Sequence, residues 1–311
     1  MSSVLNIFVT TVTVFQIGVG TPLNTFILIF SCKNLKNGHS VSPTNLIYAV
    51  KELVNIFLQL VLTAEYLLIL LWPQLLVIRE VHLTMTFLML SPIYYSYWLT
   101  GWLCAHYCLS ISNFTHRLLV GFKRILSSFL PQILLLSAII SFVSSVLSLW
   151  EIHMEFQEHP STNSSQYTPI VSVVFLMPTA CRLVAMLLGC CLPFILSLVS
   201  IGVTMSSLVR HMKKMKQNFS DNKGPNLQVY INTTRTMILF LTLSVISYIV
   251  GLLFITSISS YEMMIISLLS ITSFPLFEAA IIIQAVPKLR KMVVGKVCIG
   301  TRWGTETENP T

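Results

Sequence analysis

The chain has 311 residues, 54% of them hydrophobic and only 10% charged, with 19 Lys and Arg against 11 Asp and Glu for a net charge of +8. A mean hydropathy of +0.79 leaves too little polar surface to coat a water-soluble core, which excludes a soluble enzyme. The basic excess is no nucleic-acid footprint either, because no soluble basic domain with interleaved aromatics carries it.

Seven apolar stretches fill the chain, over residues 5–31, 43–71, 83–111, 129–150, 183–208, 234–257 and 262–286. Each meets the roughly 20 residues an α-helix needs to cross a ~30 Å hydrocarbon layer. The fold class expected is therefore an all-α membrane protein, a seven-transmembrane helix bundle over 1–291 with a short tail over 292–311. The first stretch has no basic region or small-residue cleavage site before it, so it reads as an uncleaved span rather than a signal peptide.

The basic residues set the orientation. The segment after the first stretch carries Lys33 and Lys36, the one after the third Arg117, Lys123 and Arg124, and the one after the fifth Arg210, Lys213, Lys214, Lys216 and Lys223. The tail adds Lys288, Arg290, Lys291, Lys296 and Arg302, while Lys51 and Arg235 stand near the same ends of their helices. The alternate loops hold Arg79 and Arg182 against Glu80, Glu151, Glu155 and Glu158. Short basic loops stay cytoplasmic, so the N-terminus is expected outside and the C-terminus inside. Residues 170–180 form a further apolar patch, too short to cross, which belongs to the second outer loop or to the top of the fifth helix.

Cysteines and sequons add little. Of the seven Cys, only Cys181 stands near the outer face, so no disulfide framework is expected. Topology places Asn113, Asn218 and Asn232 at or below the inner face and leaves Asn163 as the credible glycosylation site. No Gly-x-Ser-x-Gly, His-Glu-x-x-His, phosphate loop or Cys-x-x-Cys occurs, and the His residues are scattered. No catalytic residue, metal site or cofactor is implied.

The third stretch carries Trp98, Trp102 and His106 at i, i+4 and i+8, one stripe on the outer half of its helix. Such a stripe is either a ligand-binding wall or a face for helix packing and interfacial anchoring. Glu65 in the second stretch and Arg182 atop the fifth are further ligand contacts to weigh, because ionisable groups at membrane depth face a cavity or a partner. Asn24, Asn55 and Glu278 stand deeper, each on a different helix. They form either an activation switch or a purely structural hydrogen-bond cluster.

The string from Trp98 to Ile125, WLTGWLCAHYCLSISNFTHRLLVGFKRI, resembles the third helix of the taste receptor type 2 family, the bitter receptors. Residues 193–215, PFILSLVSIGVTMSSLVRHMKKM, resemble the family's fifth helix, and Pro287-Lys288-Leu289-Arg290 its seventh-helix ending. Asn24 in PLNTFI and Ile56-Phe57-Leu58-Gln59 extend the likeness through the first two spans. The chain departs from the family where Asn55 stands for the usual Arg, Ser110 for a Lys, Tyr230 for a His, and Glu278-Ala279 for a His-Ser pair.

The resemblance implies a multi-pass plasma-membrane receptor that binds small organic, bitter compounds in the outer third of the bundle and activates a heterotrimeric G protein with a gustducin-like α subunit. It makes Asn113, His116, Lys123, Arg124, His211, Lys214 and Met215 the G-protein-facing residues. A dimer is left open. A vomeronasal type 1-like pheromone receptor is the alternative within the class, and a small transporter or channel subunit the alternative outside it.

Overall fold

A computed structural model of the chain describes residues 3–37, 42–72, 74–75, 78–111, 117–149, 153–156, 171–174, 179–218, 235–247, 249–250 and 261–293. The helices in chain order are α1 (Ser3–Asn37), α2 (Pro43–Leu71), α3 (Arg79–Ile111) and α4 (Arg117–Leu149). Then α5 (Thr179–Met186) runs through a π-turn, Leu187–Cys191, into α6 (Leu192–Asn218). The last three are α7 (Arg235–Ser247), α8 (Tyr261–Ala285) and α9 (Pro287–Val293).

Four of the described helices are long and apolar enough to cross a bilayer, over Thr10–Lys36, Pro43–Leu71, Ser128–Leu149 and Leu183–Ser207. The bent pair Leu269–Ala285 and Pro287–Val293 makes a fifth. The chain is an α-helical membrane protein. Helix α3 is more polar, being rich in Tyr, Trp, Ser and Thr, and it is also the hub: α2, α4, α6 and the π-turn all pack on it. A rod wrapped in other helices faces protein rather than lipid, so it needs no uniformly apolar surface.

Helix α4 shows how that packing is made. Ser137, Ser141, Ser144 and Ser145 are buried, and each hydroxyl donates to the carbonyl four residues back, Ser141 to Ser137 at 2.8 Å and Ser145 to Ser141 at 2.9 Å. Small side chains let two helix backbones approach closely, and the back-bonding satisfies their polar atoms without lipid-exposed hydroxyls.

Three features depart from the sequence expectation. Helix α4 begins at Arg117, not near 129, because no proline or polar cluster interrupts residues 117–128; hydropathy marks the bilayer-facing length of a helix, not its end. The all-α expectation gains a two-stranded ribbon, β1 (His153–Phe156) antiparallel to β2 (Val171–Val174), with His153 opposite Val174 and Phe156 opposite Val171. The apolar patch at 170–180 thus divides between a strand and the start of α5. Finally, the axis turns by 106° between α8 and α9. Pro287 lacks an N–H and pushes Val286 out of the helical region, and Val286 then caps α9 by accepting from the Arg290 N–H at 3.0 Å.

Candidate functional site

A cavity of about 590 Å³ lies among α3, the π-turn, α7 and α8, within the range of small-molecule sites. Helix α3 contributes Met89, Leu90, Ile93, Tyr94 and Tyr97, and Leu58 of α2 closes its side. Cys190, Cys191 and Phe194 come from the π-turn and the start of α6, Leu243 and Ser247 from α7, and Ser270, Ser273, Phe274 and Phe277 from α8. Tyr97 and Phe274 meet edge to face, their ring centroids 6.1 Å apart at 77°. These residues recur at i, i+3 and i+4 on α3 and α8, which is why one face of each helix lines the space.

The π-turn follows from two residues four apart, Gly189 and Pro193. Proline has no N–H for the carbonyl four residues back, so the α-ladder cannot run through this point. The Leu192 N–H reaches Leu187 O instead, five residues back. That takes away the usual α-donor for Leu188 O, and the π-donor would be Pro193, which has none. The orphaned carbonyl is filled from the neighbouring helix: Trp98 Nε1 donates to Leu188 O at 3.1 Å. An extra residue in the turn also re-aims Cys190 and Cys191 toward the cavity. Gly189 sits against the Tyr94 ring, where an added Cβ would stand 2.9 Å from Tyr94 Cγ. Gly189→Val should therefore displace a cavity wall and lower surface-expressed receptor several-fold, measured by extracellular tag labelling.

The aromatic stripe takes its place from this geometry. Trp98 and Trp102 stack with centroids 6.1 Å apart, and Trp102 Nε1 donates to Ser137 Oγ of α4 at 2.9 Å. Neither Trp98, Trp102, His106 nor Glu65 is among the described residues that line the cavity. The structure turns the indoles to α4 and the π-turn, one wall behind the cavity, so the packing alternative fits their contacts. Glu65 is half-buried on outer α2 and its Oε2 has no hydrogen-bond partner among the described residues.

Deeper in the bundle the structure brings together two of the three switch residues and adds one. Asn55 Nδ2 donates to Glu278 Oε2 at 3.0 Å, and Lys51 Nζ stands 2.7 Å from Glu278 Oε1. Lys51 also donates to Ser96 Oγ at 3.0 Å and Thr100 Oγ1 at 2.7 Å. Lys51 and Glu278 are 0% and 1% exposed, so this is a buried ion pair joining α2, α3 and α8. The neighbouring Glu52 is also fully buried, and its two carboxyl oxygens have no hydrogen-bond partner among the described residues. Asn24 stands apart from Glu278: its Nδ2 donates to Gln59 Oε1 at 3.2 Å, beside Thr21 at 3.1 Å. Gly20 makes room for that amide, since a Cβ there would collide with Gln59 Nε2.

Lys51 corrects one sequence expectation. Its position near the basic end of α2 reads as a topology charge, yet its ammonium is folded into the bundle. The available signal is its distance from the helix start at Pro43, about two turns.

Other expected residues lie beyond reach. Asn113, His116 and Asn163 fall outside the described residues. Lys123 and Arg124 stand on α4, Arg182 on α5, and His211, Lys214 and Met215 on α6, but their side chains are outside the description. None of the six described cysteines is joined in a disulfide to another described cysteine.

The sequence as a whole matches the family model described as taste receptor protein (TAS2R) over residues 1–300. The chain belongs to the TAS2R taste receptor family. Taste receptor type 2 member 40 of Gallus gallus is 25% identical over 303 residues, covering 94% of this chain and 95% of the relative. Member 9 of Pongo pygmaeus is 26% identical over 287 residues, 89% and 88% of the two chains, and member 41 of Rattus norvegicus 27% over 160 residues, 50% of each. A TAS2R chain is a G-protein-coupled receptor of the bitter-taste class and not an enzyme. Neither the pheromone-receptor nor the transporter alternative gains support.

The departures from the TAS2R pattern acquire a physical meaning here. Where the family usually carries Arg this chain has Asn55, and the cation stands one helical turn earlier, at Lys51. Where the resemblance leads one to expect a His-Ser pair, Glu278 supplies the counter-charge to Lys51. The ion pair is therefore Lys51 with Glu278, and Asn55 is its hydrogen-bonded neighbour.

Proposed function

We propose that this receptor crosses the plasma membrane seven times, with its N-terminus outside, and binds small organic compounds in the cavity between α3 and α8. The spans are α1, α2, α3, α4, the rod α5–π-turn–α6, α7 and α8. The cavity itself carries the reading: the proposed topology puts it in the outer half of a chain that matches the TAS2R family over residues 1–300. Ligand binding favours a bundle arrangement that opens the inner face, which requires higher affinity for that arrangement than for the resting one. The Lys51–Glu278–Asn55 cluster, together with the separate Asn24–Gln59 hydrogen bond between α1 and α2, is the bistable element.

Asn113, His116, Lys123, Arg124, His211, Lys214 and Met215 face the G protein in this reading, whose α subunit is gustducin-like. Asn163 carries the glycan. Trp98 and Trp102 act on the ligand through the wall they support, while Glu65 and Arg182 border the approach from outside.

Co-expression with a promiscuous G protein and a calcium readout tests the proposal. Phe274→Ala and Tyr97→Ala should lower the potency of a cavity agonist roughly 10-fold or more, as deleting a buried aromatic contact does, at unchanged surface level. Tags at the two termini should label on opposite sides of intact cells. Both tags on one side overturn the seven-span reading; unchanged potency in both variants overturns the cavity.

A further inference from the structure

The chemistry of the cavity wall restricts what can occupy it. Among the described residues that line it there is no Asp, Glu, Lys, Arg or His. Its polar groups are already engaged. Tyr94 and Ser148 share a hydrogen bond at 3.2 Å, Tyr97 bonds to Ser247, and Ser273 both receives the Gln16 amide and donates to Leu269 O at 2.7 Å. Nearest in sequence among the ionic groups is Glu278, next to Phe277, and its carboxylate is turned away to Lys51 and Asn55.

We infer that the cavity takes electrically neutral, predominantly apolar compounds and rejects permanently charged ones. The inference rests on the cavity being the ligand site. A charged ligand would leave water for a space whose described lining offers no counter-ion, and burial of an unpaired charge is strongly unfavourable. A neutral ring system with ether, ester or ketone oxygens gives up little water and meets the Tyr94, Tyr97, Phe274 and Phe277 rings.

Matched ligand pairs test this on the intact receptor. Uncharged aromatic lactones and amides would be compared with analogues of equal size that differ by a quaternary ammonium or a sulfonate. The expected result is a potency roughly 100-fold lower for every charged member, the factor to which the insertion cost of a mid-membrane charge corresponds. Ser270→Asp should reverse the order for the quaternary series, with Ser270→Asn as the uncharged control and surface labelling as the folding control. If Ser270→Asp does not reach the surface, the matched pairs on the unaltered receptor still decide.

Equal potency within the pairs, lost in Phe274→Ala, overturns the neutrality rule and leaves the cavity as the site. Potencies that ignore both Phe274→Ala and Ser273→Trp overturn the cavity as the site. Silence of all compounds at a receptor shown to be on the surface overturns both.

Discussion

Lys51→Met should remove most receptor from the cell surface, and Glu278→Leu should do the same, whereas the double variant should recover much of the loss. Each single change leaves a full charge buried without its partner, which costs about 3–5 kcal/mol. That is a large share of any domain's net stability. The double change removes both charges together, and replacing a buried pair by apolar groups of similar volume is often close to neutral. Glu278→Gln keeps an acceptor for Asn55 but strands the ammonium of Lys51, held then by Ser96 and Thr100 alone. It should fall between the wild type and Glu278→Leu. Quantitative surface labelling of the four-member cycle gives the coupling between the positions. Additive losses in the double variant would remove the ion pair from the account. Among variants that reach the surface, basal calcium signalling reports whether the pair also holds the resting arrangement.

The second large effect is expected at Trp98. Trp98→Phe keeps a flat apolar ring but deletes the N–H that fills Leu188 O. A buried acceptor left without a donor costs about 1–3 kcal/mol, enough to lower surface expression and to loosen the π-turn. Because that turn carries Cys190 and Cys191 into the cavity, agonist potency should fall even though the substituted ring itself does not line it. Trp98→Ala adds a void, about 3–5 kcal/mol for a buried Trp, and should leave little receptor to assay. Trp102→Phe loses the bond to Ser137 of α4 and should lower expression while sparing potency. Equal potency losses at Trp98 and Trp102 would instead indicate direct ligand contact by the stripe.

Much of this architecture was legible in the residues. Hydropathy marked the apolar helices, four of which, or five with the bent pair, are long enough among the described residues to cross a bilayer, and the third- and fifth-helix strings pointed to the family. The spacing of Trp98, Trp102 and His106 gave a common face, but periodicity carries no information about which neighbour a face meets. Ser137 of α4 and an orphaned carbonyl decided that, and both lie far from the stripe in sequence. Asn55 and Glu278 were recognisable as buried polar groups on separate helices, and they do meet. Lys51 escaped because a cation two turns from a cytoplasmic helix end looks like a topology charge until its surroundings are known. The cavity escaped for a different reason. Its lining is made of Met, Leu, Ile, Phe and Tyr, the same residues that fill any helical core, and a space between side chains has no signature in a string of letters.

The five-residue turn at Leu187–Cys191 has a geometric corollary for the rod that contains it. One surplus residue advances the helical phase by roughly 100°, so the portions of the rod before and after the turn present faces offset by about that angle. Excising one residue there would rotate the half of the rod beyond it out of alignment, a lesion that no side-chain swap could mimic.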